Sequence, residues 1–443
     1  MINNKKILVL GMARSGISVA KLLCKYNNEI LITDIKEQNS DTIKELEDLN
    51  VKVVITENQD ELITNEYDLI IKNPAIKSDN KAVLRAKELN IPVINEIEAS
   101  YGFIPDNVKI ITITGSNGKT TTTTMVYELL KYKYNNVHLG GNIGIPLSSL
   151  IDKIKENDIL VLEISDHQLC DMYKFKSDIS VLTNLSEVHI DFHGTYENYK
   201  NIKKRIFNNH DENSIAILNK NNIDVVTLTK DILDKKIFFS SNEEADAYLK
   251  DNKIIYNNEI IVNCNDIRVK GIHNYENIMV AIIIAKMFNV SNEDIRDFLS
   301  KFSGVEHRIE FVRELNNRKF YNDSKATNNQ STIIALNSFN EPTLLIMGGL
   351  DRNIPFDEIS EHLKNVKYIL CYGETKEKIK EFANKNNIEA IVLNNLIEAT
   401  NKAYELSNNG DIILLSPACA SWDQYPDFET RGNEFKNTVD KLK

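Results

Sequence analysis

Residues 111–125 read ITITGSNGKTTTTTM. A β-branched run suited to a buried strand breaks into Gly115-Ser116-Asn117-Gly118-Lys119-Thr120-Thr121 and then into further threonines. A strand feeding a glycine turn that opens a helix leaves backbone N–H groups unpaired at the helix start. With the helix dipole these make an anion site. Lys119 adds a mobile positive charge, and Thr120 a hydroxyl suited to Mg2+. The full G-x-x-x-x-G-K-[ST] loop is not met, because Ile113 stands five positions before Gly118. A β-branched strand ending in a glycine turn is the plain alternative. The lysine and the helix that follow favour phosphate, and they place the chain among parallel α/β folds, whose ligands gather at the carboxyl ends of strands.

Working outward, residues 5–98 alternate short apolar runs (KILVLG, EILITDI, VKVVIT, YDLIIKN, IPVIN) with helix-like stretches, the pattern of a parallel sheet with crossover helices. A second series runs through VKIITITG, DILVLEIS, SDISVLTNL and NSIAILN. From 236 to 270 the pattern changes to KIFF, KIIYNNEIIV and DIRV, short strands around polar turns that read as a β decoration. NIMVAIIIAKMF, 277–288, reads as a buried helix. After His307 a third series follows: RKFYND, TLLIMGG, KYILCYG, EAIVLNN and DIILLSP. At roughly 150 residues per domain a chain of 443 residues holds two to four domains. The pattern predicts three, at 1–98, 99–303 and 304–443.

Composition narrows the function classes. With 42% hydrophobic and 26% charged residues the chain reads as a globular protein, and no apolar run approaches the roughly 18 residues of a membrane span. The short apolar run in MINNKKILVLGM enters a glycine turn, so it predicts a first strand rather than a signal peptide. A net charge of -11 argues against a nucleic-acid surface. The scattered cysteines 24, 170, 264, 371 and 419 form no C-x-x-C pair, which predicts a reduced, cytoplasmic protein.

Further candidates lie at the strand ends. VLGMARSGIS is an imperfect dinucleotide turn with Gly11, Arg14, Ser15 and Gly16, and Asp34 ends the next strand where an acid meets a ribose. Glu163 ends a strand within reach of a metal at the phosphate loop, and His189 and Asp191 follow another. His138, His193, His210 and His362 lack such a context and read as structural or solvated. YENYKNIKKRIF, 196–207, is an amphipathic helix whose lysines 200, 203 and 204 read as solvated. Asn322-Asp323-Ser324-Lys325, Gly348-Gly349 and Ser416-Pro417 end three strands of the last series, a small-molecule site in outline.

GSNGKTTTT, GGNIGIP, LEIS..QL, GIHNYEN, EHRIE, YNDSKATN and LLSPACASWDQY....ETRG stand in the order seen in the Mur ligases. Along essentially its whole length the chain resembles that family, and NDSKATN and SPACASWDQ resemble its D-glutamate-adding branch. The D-N-P-R motif of the diaminopimelate- or lysine-adding branch is absent from the sequence. The resemblance implies a Rossmann-like UDP-binding domain, a central P-loop ATPase domain and a Rossmann-like C-terminal domain bringing the amino acid. It implies an ATP-dependent ligase, acting as a monomer, that phosphorylates the carboxylate of UDP-N-acetylmuramoyl-L-alanine and joins the acyl phosphate to D-glutamate in peptidoglycan precursor synthesis.

The site residues carry over individually. Gly115 to Thr121 would cradle ATP, Lys119 and Mg2+ would neutralise its phosphates, and Asn142 would lie near the transferred phosphoryl group. Thr120 and Glu163 would serve one Mg2+, and His189 with a carbamoylated Lys203 a second. Asn277 would approach adenine, Arg308 the ATP phosphates and Asp323 the nucleotide. Ser15, Asp34 and Lys36 match the uridine side, and Ser165 the substrate. Lys325, Thr327, Arg352, Ser421 and Phe428 match the D-glutamate site. With ligands from three domains, catalysis would require closure.

Some positions depart from the family pattern. Val188 replaces a usual Asp, Ala75 a usual Gly, and Arg352 stands where some relatives carry Lys. Asp166 and His167 occupy positions more often held by Ser and an aromatic. Two other readings remain: an alanine-adding or folylpolyglutamate-type ligase, which NDSKATN and SPACAS disfavour, and a nonenzymatic nucleotide-binding module, which would need no acyl-acceptor site.

Overall fold

The computed structural model describes residues 2–232 and 235–443, the Asp191 side chain excepted. The chain forms two compact units, Met1–Ile267 with Ile272–Ser300, and Arg268–Gly271 with Lys301–Lys443.

The first unit carries two sheets. One is parallel, with order β3-β2-β1-β4-β5, from β1 (Lys6–Leu10), β2 (Glu29–Asp34), β3 (Lys52–Ile55), β4 (Leu69–Lys72) and β5 (Val93–Ile94). The other runs β14-β13-β12-β11-β10-β9-β6-β8-β7. Its strands are β6 (Lys109–Thr114), β7 (Val137–Gly141), β8 (Ile159–Glu163), β9 (Ile179–Leu182), β10 (Ile215–Asn219), β11 (Lys235–Ser240), β12 (Ala247–Lys250), β13 (Lys253–Tyr256) and β14 (Glu259–Asn263). Pairing is parallel up to β12 and antiparallel beyond it. Apolar side chains from both sheets, Val9 and Ile32 with Leu160 and Leu182 among them, join one buried cluster. The centre of the second sheet is buried on both faces, as helices covering a parallel sheet dictate: β8 is buried throughout, and β6 at every residue but Lys109.

The segment predicted as a decoration instead extends this sheet, since β11 pairs in parallel with β10 and the hairpins continue from it. DIRV, 266–269, is not a strand: the 3-10 turn Cys264–Asp266 ends at its first residue, and the next three lie in no helix or strand. The apolar run near 277 lies in the helix Ile272–Met287, with Asn277 to Ala285 all buried.

The second unit holds one sheet of order β15-β16-β20-β17-β18-β19, from β15 (Glu310–Leu315), β16 (Arg318–Asn322), β17 (Thr343–Gly348), β18 (Val366–Tyr372), β19 (Glu389–Val392) and β20 (Ile412–Leu415). It is parallel except where β15 pairs with β16. Among the described residues no disulfide joins the cysteines. Among the described residues no helix is long and apolar enough to cross a membrane.

Candidate functional site

The turn after β6 is shaped by two glycines. Gly115 has φ +150°, and a Cβ there would fall 2.0 Å from Thr183 Oγ1. Gly118 has φ +79°, where a side chain is strained, and its Cβ would lie 2.4 Å from Asn277 Oδ1. The helix Lys119–Lys131 begins directly after Gly118, so its first N–H groups open at the turn. Side chains fix the loop from behind: Asn117 N donates to Asn184 Oδ1 at 2.9 Å, Thr183 Oγ1 donates to Asn117 O at 2.7 Å, and Ser116 Oγ meets Tyr199 Oη at 2.7 Å. Lys119 Nζ curls over the turn, donating to Gly115 O and Ser116 O at 2.8 Å each. Thr120 and Thr121 are buried in the first helical turn. Asn277 belongs to this cluster too, accepting from Thr122 Oγ1 at 3.1 Å.

Glu163 ends β8 and is buried. Its Oε1 accepts from Asn142 Nδ2 at 2.8 Å, and its Oε2 is buried without a hydrogen-bond partner. Parallel pairing of β7 with β8 sets Gly141 beside Glu163, which brings Asn142 into reach. Ser165 caps the short helix Asp166–Leu169 through a reciprocal box with Gln168.

Asp166, in the first turn of that helix and given no site role by the sequence, is the centre of the cluster. Its Oδ2 lies 2.9 Å from His189 Nδ1, 2.7 Å from His193 Nε2 and 3.2 Å from His167 Nδ1. Its Oδ1 lies 3.4 Å from Lys203 Nζ. Burial opposes the charge of Asp166, but hydrogen bonds from His167 and His189 and the charge of Lys203 hold its carboxyl far below the usual range. Burial, then the nearby Lys119 charge, pulls Lys203 down to about 7, against Asp166. Lys203 is fully buried and donates to Thr114 Oγ1 at 3.0 Å, so the expectation of a solvated helix lysine fails for it. His193 is likewise not solvated or apart from the site; desolvation lowers its pKa against the pull of Asp166. His189 caps the helix Ile190–His193 at φ +55°, a left-handed conformation rare outside glycine.

A cleft of about 560 Å3 opens over these groups, lined by Lys119, Asn142, Ser165, Asp166 and His189, with Arg14 and Ser15 on its other wall. Asp34 has a local role: its Oδ2 accepts from Met12 N at 2.7 Å and its Oδ1 from Lys36 N at 3.0 Å, tying the first glycine turn. Lys36 is exposed.

In the second unit Asp323 directly follows β16, buried, accepting from Ser416 Oγ at 2.7 Å and Ile309 N at 3.2 Å. Burial pushes its carboxyl up to about 7, against the Ser416 hydrogen bond and the charge of Arg308. Lys325 Nζ lies 5.6 Å over the Phe428 ring, and the Arg352 guanidinium 4.9 Å over Trp422. Ser421 is buried and Thr327 half-buried. The link between these loops is Arg431, fully buried, donating to Ser324 Oγ at 2.9 Å, Ser324 O at 2.7 Å and Cys419 O at 3.0 Å. The arginine of ETRG thus holds YNDSKATN against SPACAS.

Lys119, Thr120, Asn142, Glu163, His189 and Lys203 thus gather around one loop and cleft. Sequence reading named Asp166 only as a departure from the family pattern, set His193 aside as structural or solvated, and gave Arg431 of ETRG no role. His189 and His193 are brought together by the left-handed turn at His189 that opens the short helix Ile190–His193, which helical periodicity in the sequence does not reveal.

Comparison with known proteins bears on this arrangement. Residues 113–285 match the Mur ligase middle domain, 307–419 the Mur ligase glutamate ligase domain and 5–95 the Mur ligase MurD-like N-terminal domain. The UDP-N-acetylmuramoylalanine--D-glutamate ligases of Bacillus thuringiensis (strain Al Hakam) and Bacillus anthracis (strain A0248) are each 42% identical, over 99% of this chain and 98% of theirs. Among solved structures, UDP-N-acetylmuramate-alanine ligase MurC of Thermotoga maritima shares the fold with TM-score 0.62 at 19% identity, covering 99% of this chain and 100% of its own. MurF ligase of Thermotoga maritima, in complex with ADP, does so with TM-score 0.56 at 18% identity, covering 99% and 96%. On its matched domains and full-length identity, the chain belongs to the Mur ligase family.

Proposed function

We propose that this protein is the ATP-dependent ligase that adds D-glutamate to UDP-N-acetylmuramoyl-L-alanine, giving UDP-N-acetylmuramoyl-L-alanyl-D-glutamate, ADP and phosphate. The observation that carries the reading is full-length identity of 42% to enzymes bearing that name. The loop at 115–121 and the acid at 163 support it physically. A carboxylate is a poor nucleophile towards ATP and a poor electrophile towards an amine, so both anions must be held together and neutralised. We assign this task at the phosphates to Lys119 and the N–H groups at the helix start, and the transferred phosphoryl group to Asn142, which donates to Glu163. The carboxylate takes the γ-phosphoryl group, the acyl phosphate is attacked by the amine of D-glutamate, and the tetrahedral adduct collapses to amide and phosphate.

The residues fit a divalent cation, since Glu163 Oε2 is a buried carboxylate oxygen without a partner. Thr120 and Glu163 would hold one Mg2+, and His189 with Lys203 as its carbamate a second; bound there, the ions supply charge neutralisation. The lowered pKa of Lys203 supports the carbamate, because CO2 adds to the neutral amine. We assign Ser15, Asp34, Lys36 and Ser165 to the UDP substrate, and Asn277, Arg308 and Asp323 to ATP. D-glutamate falls to Lys325, Thr327, Arg352, Ser421 and Phe428. The domain limits 1–98, 99–303 and 304–443, a monomeric state and a cytoplasmic location belong to the same proposal.

Phosphate release with ATP, Mg2+ and UDP-N-acetylmuramoyl-L-alanine, comparing D-glutamate with L-glutamate, L-lysine and L-alanine, tests the reading. Release with another amino acid and none with D-glutamate would overturn it.

A further inference from the structure

Strands β17 and β20 pair in parallel, so the loops that leave their carboxyl ends lie side by side. A backbone bridge joins these loops, with Leu350 N donating to Ala420 O at 2.9 Å. Two residues beyond the bridge on each side, Arg352 and Trp422 meet, the guanidinium carbon 4.9 Å from the centre of the indole ring. Both loops are fixed where they turn. Lys378 pairs with Asp351, and Asp351 Oδ1 accepts from Asn353 N at 2.8 Å, which bends the chain around Arg352. Tyr425 N donates to Ser421 O at 2.8 Å, and Asp423 Oδ2 accepts from Glu374 N at 3.1 Å, which sets the chain around Trp422.

Trp422 is the only tryptophan of the chain and is 64% exposed, whereas so large an apolar ring is ordinarily covered. The guanidinium over its face accounts for its place, since a cation is attracted to the electron-rich face of an indole. Asp351, the acid next to Arg352 in the chain, is taken by Lys378. Among the described residues no hydrogen bond or ion pair engages the Arg352 guanidinium, so the indole is what holds this exposed side chain. A free arginine loses rotamer freedom when it grips a carboxylate. One already held against an aromatic face has lost part of that freedom beforehand, and its N–H fork stays open for bidentate pairing.

We propose that Trp422 is a positioning residue for substrate recognition, which holds Arg352 ready for a carboxylate of D-glutamate without touching the amino acid itself. The proposal deepens the assignment of Arg352 to D-glutamate and rests on it. Indole and guanidinium then act as one unit, and neither can be replaced without loss of the other's contribution.

The test has a substrate-free arm and a kinetic arm. In the full-length, nucleotide-free protein carrying 13C-labelled arginine, the Arg352 δ-methylene resonance is identified by its loss in Arg352→Ala. It should be shifted upfield by the indole ring current and return to the ordinary arginine position in Trp422→Leu. In phosphate release with ATP, Mg2+ and UDP-N-acetylmuramoyl-L-alanine, Trp422→Leu should raise the KM for D-glutamate about threefold to tenfold and keep kcat within about twofold of wild type. Trp422→Tyr, which restores an aromatic face, should bring KM back close to wild type. In an Arg352→Ala background Trp422→Leu should leave KM where it is, because nothing remains to be positioned. An unshifted Arg352 resonance in the wild type, an unchanged KM in Trp422→Leu, or the same rise in the Arg352→Ala background would overturn the proposal. A wild type that releases no phosphate with D-glutamate would overturn the ligase reading and the substrate named here, and the resonance shift would stand.

Discussion

Lys203 Nζ lies 3.4 Å from Asp166 Oδ1, and neither side chain has appreciable contact with solvent. Two opposite demands meet there: burial favours a neutral amine, and the carboxylate favours an ammonium. The amine pKa of about 7 leaves a neutral fraction able to take up CO2 at neutral pH. Lys203→Ala is expected to lower turnover by about 100-fold or more, the scale of losing a preorganised charge at a reacting centre. Short carboxylic acids should restore part of it. In the wild type, 13CO2 labelling should give a carbamate resonance that Lys203→Ala lacks. Intact activity in Lys203→Ala would contradict the assignment.

Gly118 can be tested for backbone reasons alone. With φ +79° and Asn277 Oδ1 only 2.4 Å from where an alanine methyl would sit, Gly118→Ala must shift the turn or the asparagine. The strain costs about 1–3 kcal/mol. Weaker ATP binding by equilibrium dialysis is the expected outcome, and Lys119→Ala should lose more, because it removes the charge we assign to the phosphates.

Asp323 gives the second unit a pH dependence of known sign. Its folded carboxyl titrates at about 7 against a reference of 3.8. Between these values the folded state keeps a proton that the unfolded chain has released, so its contribution to stability is full below the reference value and is lost as pH rises through about 7. Urea unfolding followed by fluorescence of the single tryptophan, Trp422, should show Asp323→Asn flattening this part of the slope between about pH 5 and about pH 8. An identical slope in both proteins would refute it.

Trp422 also lies beside Arg352, which we assign to D-glutamate. The Arg352 guanidinium stacks on its ring at 4.9 Å, and the indole is 64% exposed. D-glutamate should therefore change tryptophan emission in the wild type and leave it unchanged in Arg352→Ala. The KM for D-glutamate should rise by roughly tenfold to a hundredfold in that variant, the scale of one charged hydrogen bond.

Much of this was legible in the chain because strand ends carry the chemistry. The β-branched run before Gly115 and the acid closing β8 placed the loop and Glu163 together before any geometry was known. β7 was missed because VHLGG ends in two glycines, which read as turn rather than strand. DIRV misled in the other direction, since an apolar-charged alternation of four residues is too short to separate a strand from a turn. Lys203 could be singled out only through family resemblance, because helix periodicity makes it one lysine among several. Asp166 was obscured for a similar reason: an acid in a first helical turn is ordinary until distant histidines are seen to close on it.

The most direct test of the account is the reaction itself. Purified protein with ATP, Mg2+ and UDP-N-acetylmuramoyl-L-alanine should yield, with D-glutamate, a product heavier by one glutamyl residue together with one phosphate per product, and neither with L-glutamate. Product formed with L-glutamate, L-lysine or L-alanine but not with D-glutamate would contradict it.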